Sequence, residues 1–177
     1  MIRKATFQDI EAIWQLRLET TQLLKSRQIN QWQHQNPSLE RFHEDIRLGH
    51  FFVYEGHHEV IGMMAIKPGD EPTYRNIYDG SWQRNDPYLT IHRLAVKANH
   101  LGKGIADELI SFADCYALKN DIHYMRIDTH RNNQNAIRLF QKHGYILRGT
   151  IILDDPEGDP HRLAFDKIVE ERHENLG

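Results

Sequence analysis

Residues 88–118 constrain the fold most, because they read as a strand, a glycine turn and a helix in immediate succession. The strand spans 88–96 and the helix about 103–118, with Ile105, Leu109, Phe112 and Tyr116 recurring on one helical face. Between them lies Leu101-Gly102-Lys103-Gly104-Ile105-Ala106. The first amides of a helix have no intrahelical acceptor, and the helix dipole makes that end positive, so the turn predicts an anion site. Glycines there let a phosphate approach the backbone, and Lys103 adds charge. A nucleotide triphosphatase loop requires Lys-Ser/Thr after its second glycine, whereas Ile105 follows Gly104. A dinucleotide fingerprint counted from Gly102 requires glycine where Asp107 stands. Both nucleotide readings fail on spacing.

The remaining chain reads as alternating short elements. Residues 2–5 form a first strand, and Thr6 or Asp9 caps a helix carrying Ile10, Ile13, Trp14, Leu16, Leu18 and Leu23. Ser38 opens a second helix through Phe42 and Ile46 to Gly49. Residues 51–54 and 60–66 predict an antiparallel hairpin across Glu55-Gly56-His57-His58. Residues 67–87 dissolve into Pro, Gly, Asp and Asn, a longer connection than usual, and such loops carry binding function. Then come a strand at 124–128, a helix at 133–142, a strand at 145–147, a turn-rich segment at 154–160 and a last strand at 162–168. The expectation is one domain over 1–169, with a polar tail at 170–177.

The chain has 177 residues, of which 40% are hydrophobic, enough for one sizeable core. Its 27% charged residues balance to a formal net charge of −3, which argues against a domain-wide grip on nucleic acid or on an anionic membrane. An amine partner is easier to accommodate. The one cysteine, Cys115, excludes an internal disulfide framework and a Cys-rich metal site. The scattered histidines lack metal-ligand spacing, so no metal is expected. With no apolar run near the roughly 18 residues of a membrane span and no signal-type opening, a cytoplasmic protein is expected.

The turn at 101–106 resembles the Q/R-x-x-G-x-G/A fingerprint of the GNAT superfamily of N-acetyltransferases, with Leu101 replacing the usual Gln or Arg. A second block of that family, N-x-x-A-x-x-L-[YF]-x-K-x-G-[FY], is matched by Asn133, Ala136, Leu139, Phe140, Lys142, Gly144 and Tyr145. The resemblance is densest over 88–145. It implies an α/β (α+β) fold: a twisted, mixed, mostly antiparallel sheet of about six or seven strands with about four helices, splayed between the fourth and fifth strands.

It further implies acetyl-CoA as cosubstrate. The backbone near Leu94 and Val96 would pair with pantetheine. Leu101, Gly102, Lys103, Gly104, Ile105 and Ala106 would hold the pyrophosphate, and Asn133 and Phe140 would line the thioester end. Acetyl passes directly to an amine, so the site needs a proton acceptor and an oxyanion donor, the Val96 N–H. An imidazole in general titrates near neutrality, so His92 is the candidate base, as some arylalkylamine acetyltransferases resemble this chain in a histidine before Leu-Ala-Val; relay through water is the alternative. Phe140 stands where the family often has a tyrosine acid, so either no strong acid is needed or Tyr88 or a loop tyrosine serves. Trp32, Tyr78 and Trp82 are the candidate acceptor-binding aromatics, and the loop aromatics Tyr74, Tyr78 and Trp82, with Asp70, Glu71, Asp79 and Asp86 around them, read as a lid over a cationic amine. The expected partner is a small-molecule amine, and a homodimer is the assembly considered. A GNAT-like module that binds acetyl-CoA without turnover, and a protein N-acetyltransferase, are the alternatives.

Overall fold

A computed structural model describes residues 1–154 and 158–171. The middle of the turn-rich 154–160 segment and most of the anticipated tail lie outside the described residues. The elements are β1 (Ile2–Lys4), α1 (Ile10–Ser26), α2 (Leu39–Arg47), β2 (Phe51–Gly56), β3 (Glu59–Pro68), β4 (Leu89–Val96), α3 (Ile105–Lys119), β5 (Tyr124–His130), α4 (Gln134–Lys142), β6 (Ile146–Ile152) and β7 (His161–Ile168). The strands form one seven-stranded sheet in the order β1-β2-β3-β4-β5-β7-β6. All neighbours are antiparallel except β4 and β5. The mixed, mostly antiparallel sheet expected from the resemblance is the one observed.

The helices begin where local chemistry lets them. Ser38 Oγ accepts the Arg41 N–H at 3.3 Å and caps α2. The Asp9 carboxylate accepts the Thr6 N–H at 2.8 Å and takes Arg3 in a two-pronged pair at 2.8 and 2.9 Å, so β1 is tied to the entry of α1. Gly104 sits at φ 82°, a left-handed conformation that an L side chain resists, and α3 therefore starts at Ile105 rather than Lys103.

Two layers cover the sheet. On one face α3 buries Leu109, Ile110, Ala113 and Ala117 completely against Met64, Ile66, Leu89 and Ile91. Each large side chain so buried contributes about 1.5–3 kcal/mol. On the other face α1 and α2 pack Ile13, Leu16, Phe42 and Ile46 onto Phe51, Val53, Met63 and Ala65.

The 67–87 connection is more structured than its composition predicts. Tyr78 forms an antiparallel bridge with Thr150, each N–H donating to the other's carbonyl at 2.8 Å, which covers the outer edge of β6. Two glycines permit this approach. A Cβ on Gly80 would stand 1.8 Å from the Arg148 carbonyl oxygen, and one on Gly149 would stand 2.4 Å from that of Tyr78.

Candidate active site

β4 and β5 pair at only two positions, Leu89 with Met125 and Thr90 with Arg126, and beyond Thr90 they share no register. A cleft of about 500 Å³ opens there, lined on one side by Ile91, His92 and Leu94 and on the other by Ile127, Asp128 and Thr129. The wedge arises from β4 itself. Met63 pairs with Ala95 and Ala65 with His92, so β4 carries one residue more than β3 over this stretch, a β-bulge. Arg93 absorbs it at φ 54°, and its guanidinium pairs with the buried Asp45 of α2 at 3.2 Å.

The bulge also sets where the β4 amides point. Lys97 N–H donates to Ile61 O at 2.8 Å, so the next pair along the ladder, Gly62 with Val96, is a non-hydrogen-bonded pair. The Val96 N–H therefore faces away from β3, toward the wedge, and alternation turns the Leu94 N–H the same way.

Past Val96 the chain reaches the glycine turn. Gly102 and Gly104 have φ of 75° and 82°, and a Cβ on either would meet open space, so nothing of the protein crowds this backbone. Among the described residues, the amides of 102–107 donate to no backbone carbonyl, and the first helical bond is Glu108 N–H to Gly104 O at 3.0 Å. A run of unsatisfied donors at a helix start fits a phosphate group. Leu101 has a side chain 42% exposed and no polar atom to offer there.

Deeper in the cleft, His92 Nε2 lies 3.2 Å from Glu71 Oε2. Burial works against the charge of Glu71. The hydrogen bond to His92 and the positive charges of His92, Lys67 and Arg93 outweigh it and hold the carboxyl below its ordinary value. Across the wedge, Asp128 accepts the Tyr74 hydroxyl at 2.6 Å. Burial, and next the Asp128 charge, raise the Tyr74 phenol well above its usual value, so it remains a donor. A cationic amine entering here meets two carboxylates and an imidazole.

The segment between α1 and α2 forms the wall above. Arg17, 4% exposed, donates to the carbonyls of Trp32, His34, Asn36 and Pro37 and fixes this segment to α1. Trp32 lines the cleft. Asn133 caps α4 by accepting the Ala136 N–H at 3.2 Å, and its amide donates to Gln31 Oε1 at 3.2 Å, joining the two sides. Phe140 lines the cleft from α4, with its ring against Tyr145 and Phe165. Tyr78 and Trp82 are not among the lining residues. Tyr78 is half-exposed at the β6 edge, and Trp82 packs on Tyr74 and lines a separate cavity.

Residues 10–145 match the acetyltransferase (GNAT) family. The chain belongs to this family. A GNAT-family acetyltransferase of Streptococcus agalactiae is similar in structure, with a TM-score of 0.86 and 28% identity over 97% of this chain and 96% of that one. An acetyltransferase of Staphylococcus aureus Mu50 superimposes with a TM-score of 0.72 at 25% identity, over 96% of this chain and 99% of the other. The uncharacterized N-acetyltransferase YesJ of Bacillus subtilis is 24% identical over 152 residues, 82% of this chain and 81% of its own. A streptothricin acetyltransferase of Escherichia coli is 38% identical over 60 residues, 34% of each chain.

As a GNAT chain the protein has its two family blocks on two sides of one wedge, the glycine turn after β4 and Asn133 with Phe140 at α4. The sequence points to His92 and Trp32, and both line the cleft. It does not point to Asp128, nor does it single out Glu71 from the other loop acids. The bulge was readable: Leu89 and Ile91 share a face with Leu94 and Val96, and that change of parity requires one extra residue. Among the described residues there is no group of three or more His, Cys, Asp or Glu placed to hold a metal, and no helix long and apolar enough to cross a membrane.

Proposed function

We propose that the chain transfers the acetyl group of acetyl-CoA to the primary amine of a small, cationic molecule. The observation that carries this reading is the convergence in one wedge of the unsatisfied turn amides, the inward Val96 N–H and the His92–Glu71 pair. Acetyl-CoA supplies the activated thioester: the neutral amine would add to its carbonyl to form the carbon–nitrogen bond, and the carbon–sulfur bond would then break, releasing coenzyme A as a thiol that carries the second proton lost by the amine.

The protein's part follows from its groups. The backbone of Leu101, Gly102, Lys103, Gly104, Ile105 and Ala106 binds the pyrophosphate, and the backbone at Leu94 and Val96 pairs with pantetheine. Asp128 and Glu71 draw in the ammonium. His92 takes its proton, directly or through one water, and the Val96 N–H stabilises negative charge developing on the acetyl oxygen. Trp32, Asn133 and Phe140 bound the space left for the acceptor. A small acceptor is favoured by the Gln31–Asn133 bond, which links the two sides of the cleft, where a polypeptide acceptor calls for a groove open at both ends. The similarity to a streptothricin acetyltransferase over 60 residues supports the same class.

Leu101 and Phe140 favour a second reading, an acetyl-CoA-binding module without turnover. One experiment separates the two: calorimetric titration with acetyl-CoA, followed by thiol release against amines, polyamines, amino acids, aminoglycosides and peptides. Binding with release on a small amine supports the enzyme. Binding without release supports the module, release on peptides alone overturns the small acceptor, and no binding discards both.

A further inference from the structure

At the opposite end of β4 from the glycine turn lies a cavity of about 880 Å³, walled by the rings of Tyr74, Trp82 and Tyr88 and by Leu89. Arg126 of β5 faces into it. This arginine is 6% exposed, and its guanidinium carbon lies 4.3 Å from the ring centroids of both Trp82 and Tyr88 and 5.2 Å from that of Tyr124. It donates to the Arg84 carbonyl at 2.7 Å and to the Tyr124 hydroxyl at 3.4 Å. Among the described residues, no carboxylate lies within 4.0 Å of it.

The charge accounting around Arg126 is uneven. The Tyr124 hydroxyl donates a hydrogen bond to Asp166, at 2.6 Å, but that carboxylate is already paired with Arg148 at 2.7 Å. The acids at the cavity rim are likewise engaged, Asp70 with Arg75 at 2.7 Å and Asp86 with Arg84 at 3.4 Å. Lys4, also on the rim, has no carboxylate within 4.0 Å among the described residues. A buried cation without a counter-ion is costly; Arg17, 4% exposed, also has no carboxylate within 4.0 Å among the described residues but is met by four backbone carbonyls, whereas Arg126 is met by one. Cation–π contacts soften the cost at Arg126, and its link to Asp166, the residue opposite it on β7, runs only through the Tyr124 hydroxyl.

We propose that this cavity is a second ligand site, for a small carboxylate with a flat apolar body. The carboxylate pairs with Arg126, Lys4 supplies a further positive charge at the rim, and the apolar body lies against the Tyr74, Trp82 and Tyr88 rings. Two of those rings also end on the groups of the candidate active site. The Tyr74 hydroxyl donates to Asp128, and the Tyr88 hydroxyl accepts the Glu71 N–H at 2.8 Å. A ligand that shifts either ring thus alters acceptor binding. This coupling rests on the acetyl-transfer reading; the binding site does not.

The test is calorimetric titration of the full chain with phenylacetate and with its neutral amide, phenylacetamide, in the absence and presence of saturating acetyl-CoA. Phenylacetate binding at least about tenfold tighter than the amide, retained with acetyl-CoA present and weakened severalfold by Lys4→Gln, is the expected result. Arg126→Gln, checked for folding by its melting transition, is expected to erase the preference for the acid. Equal binding of acid and amide, no binding of either at millimolar concentration, or displacement by acetyl-CoA overturns the proposal, and each is read on the wild-type chain without a variant. Loss of acetyl transfer with the acid preference intact would count against the catalytic reading alone.

Discussion

The Glu71 carboxylate meets the His92 imidazole at 3.2 Å from a position 21 residues earlier in the chain. The contact is held at its other end by Tyr88, whose hydroxyl accepts the Glu71 N–H. A strand histidine is thereby oriented by a loop acid whose own backbone is anchored to the start of the same strand. The consequence is directional: the imidazole nitrogen facing Glu71 is engaged, and the other is the one that can accept a proton.

His92→Ala is expected to lower turnover near neutral pH by about a hundredfold or more while leaving the acetyl-CoA dissociation constant within about twofold. Steady-state kinetics together with calorimetry check this. Equal turnover across the pH range would remove His92 as the base.

Glu71→Gln retains a hydrogen-bonding partner but loses the charge. A fall in kcat smaller than that of His92→Ala, with a raised KM for the amine and an unchanged KM for acetyl-CoA, is expected if the carboxylate both orients the imidazole and draws in the ammonium. A change confined to the acetyl-CoA KM would contradict that assignment.

Gly104→Glu places a side chain on a left-handed backbone and a negative charge beside the unsatisfied amides. Acetyl-CoA affinity should drop by more than about tenfold in calorimetric titration. Unchanged affinity would sink the assignment of the pyrophosphate to this turn.

Gly80→Ala drives a Cβ into the Arg148 carbonyl oxygen, so the 67–87 connection must lift from β6. Denaturant unfolding is expected to show a loss of about 1–3 kcal/mol. A loss below a few tenths would mean that the Tyr78–Thr150 bridge does not hold this edge.

Asp9 carries a pH signature. Its hydrogen bonds from Arg3 lower its carboxyl below the ordinary value, against burial, with a further contribution from the Thr6 N–H. A depressed folded-state value means that the added stability is present above the unfolded value of about 3.9 and is lost as pH falls through the folded one. Asp9→Asn should therefore cost about 1–2 kcal/mol at pH 7, with the gap to wild type closing as pH drops below about 4. A gap independent of pH would show that the pair acts by shape alone.

Much of this arrangement is legible in the residues because local rules decide it. Glycines at 102 and 104 force a turn, an asparagine at 133 opens a helix, and Ile105, Leu109, Phe112 and Tyr116 mark the apolar side of α3, although its buried positions are Ile105, Leu109, Ile110, Ala113 and Ala117, with Phe112 and Tyr116 only partly buried. What is not legible depends on contacts between distant parts of the chain. Nothing in residues 146–168 announces that β7 lies between β5 and β6. The aromatic residues of the 67–87 connection read as candidates for one surface, yet Tyr74 is buried, Tyr78 sits on the sheet edge and Trp82 turns toward Arg126. Their placement follows from Asp166, Thr150 and Asp128, which are far away in sequence.

The two-rung join between β4 and β5 also bears on how the chain acquires its shape. Strands β1–β4 pair antiparallel among neighbours, as do β5–β7, so each set can assemble from its own stretch of chain before the other exists. Their union requires the crossover through α3 and closes few backbone bonds, which makes it the sparsest strand pairing in the sheet among the described residues. Native-state hydrogen exchange would then resolve two protection levels rather than one, and any molecule that spans the gap would raise the melting temperature by fastening the halves together.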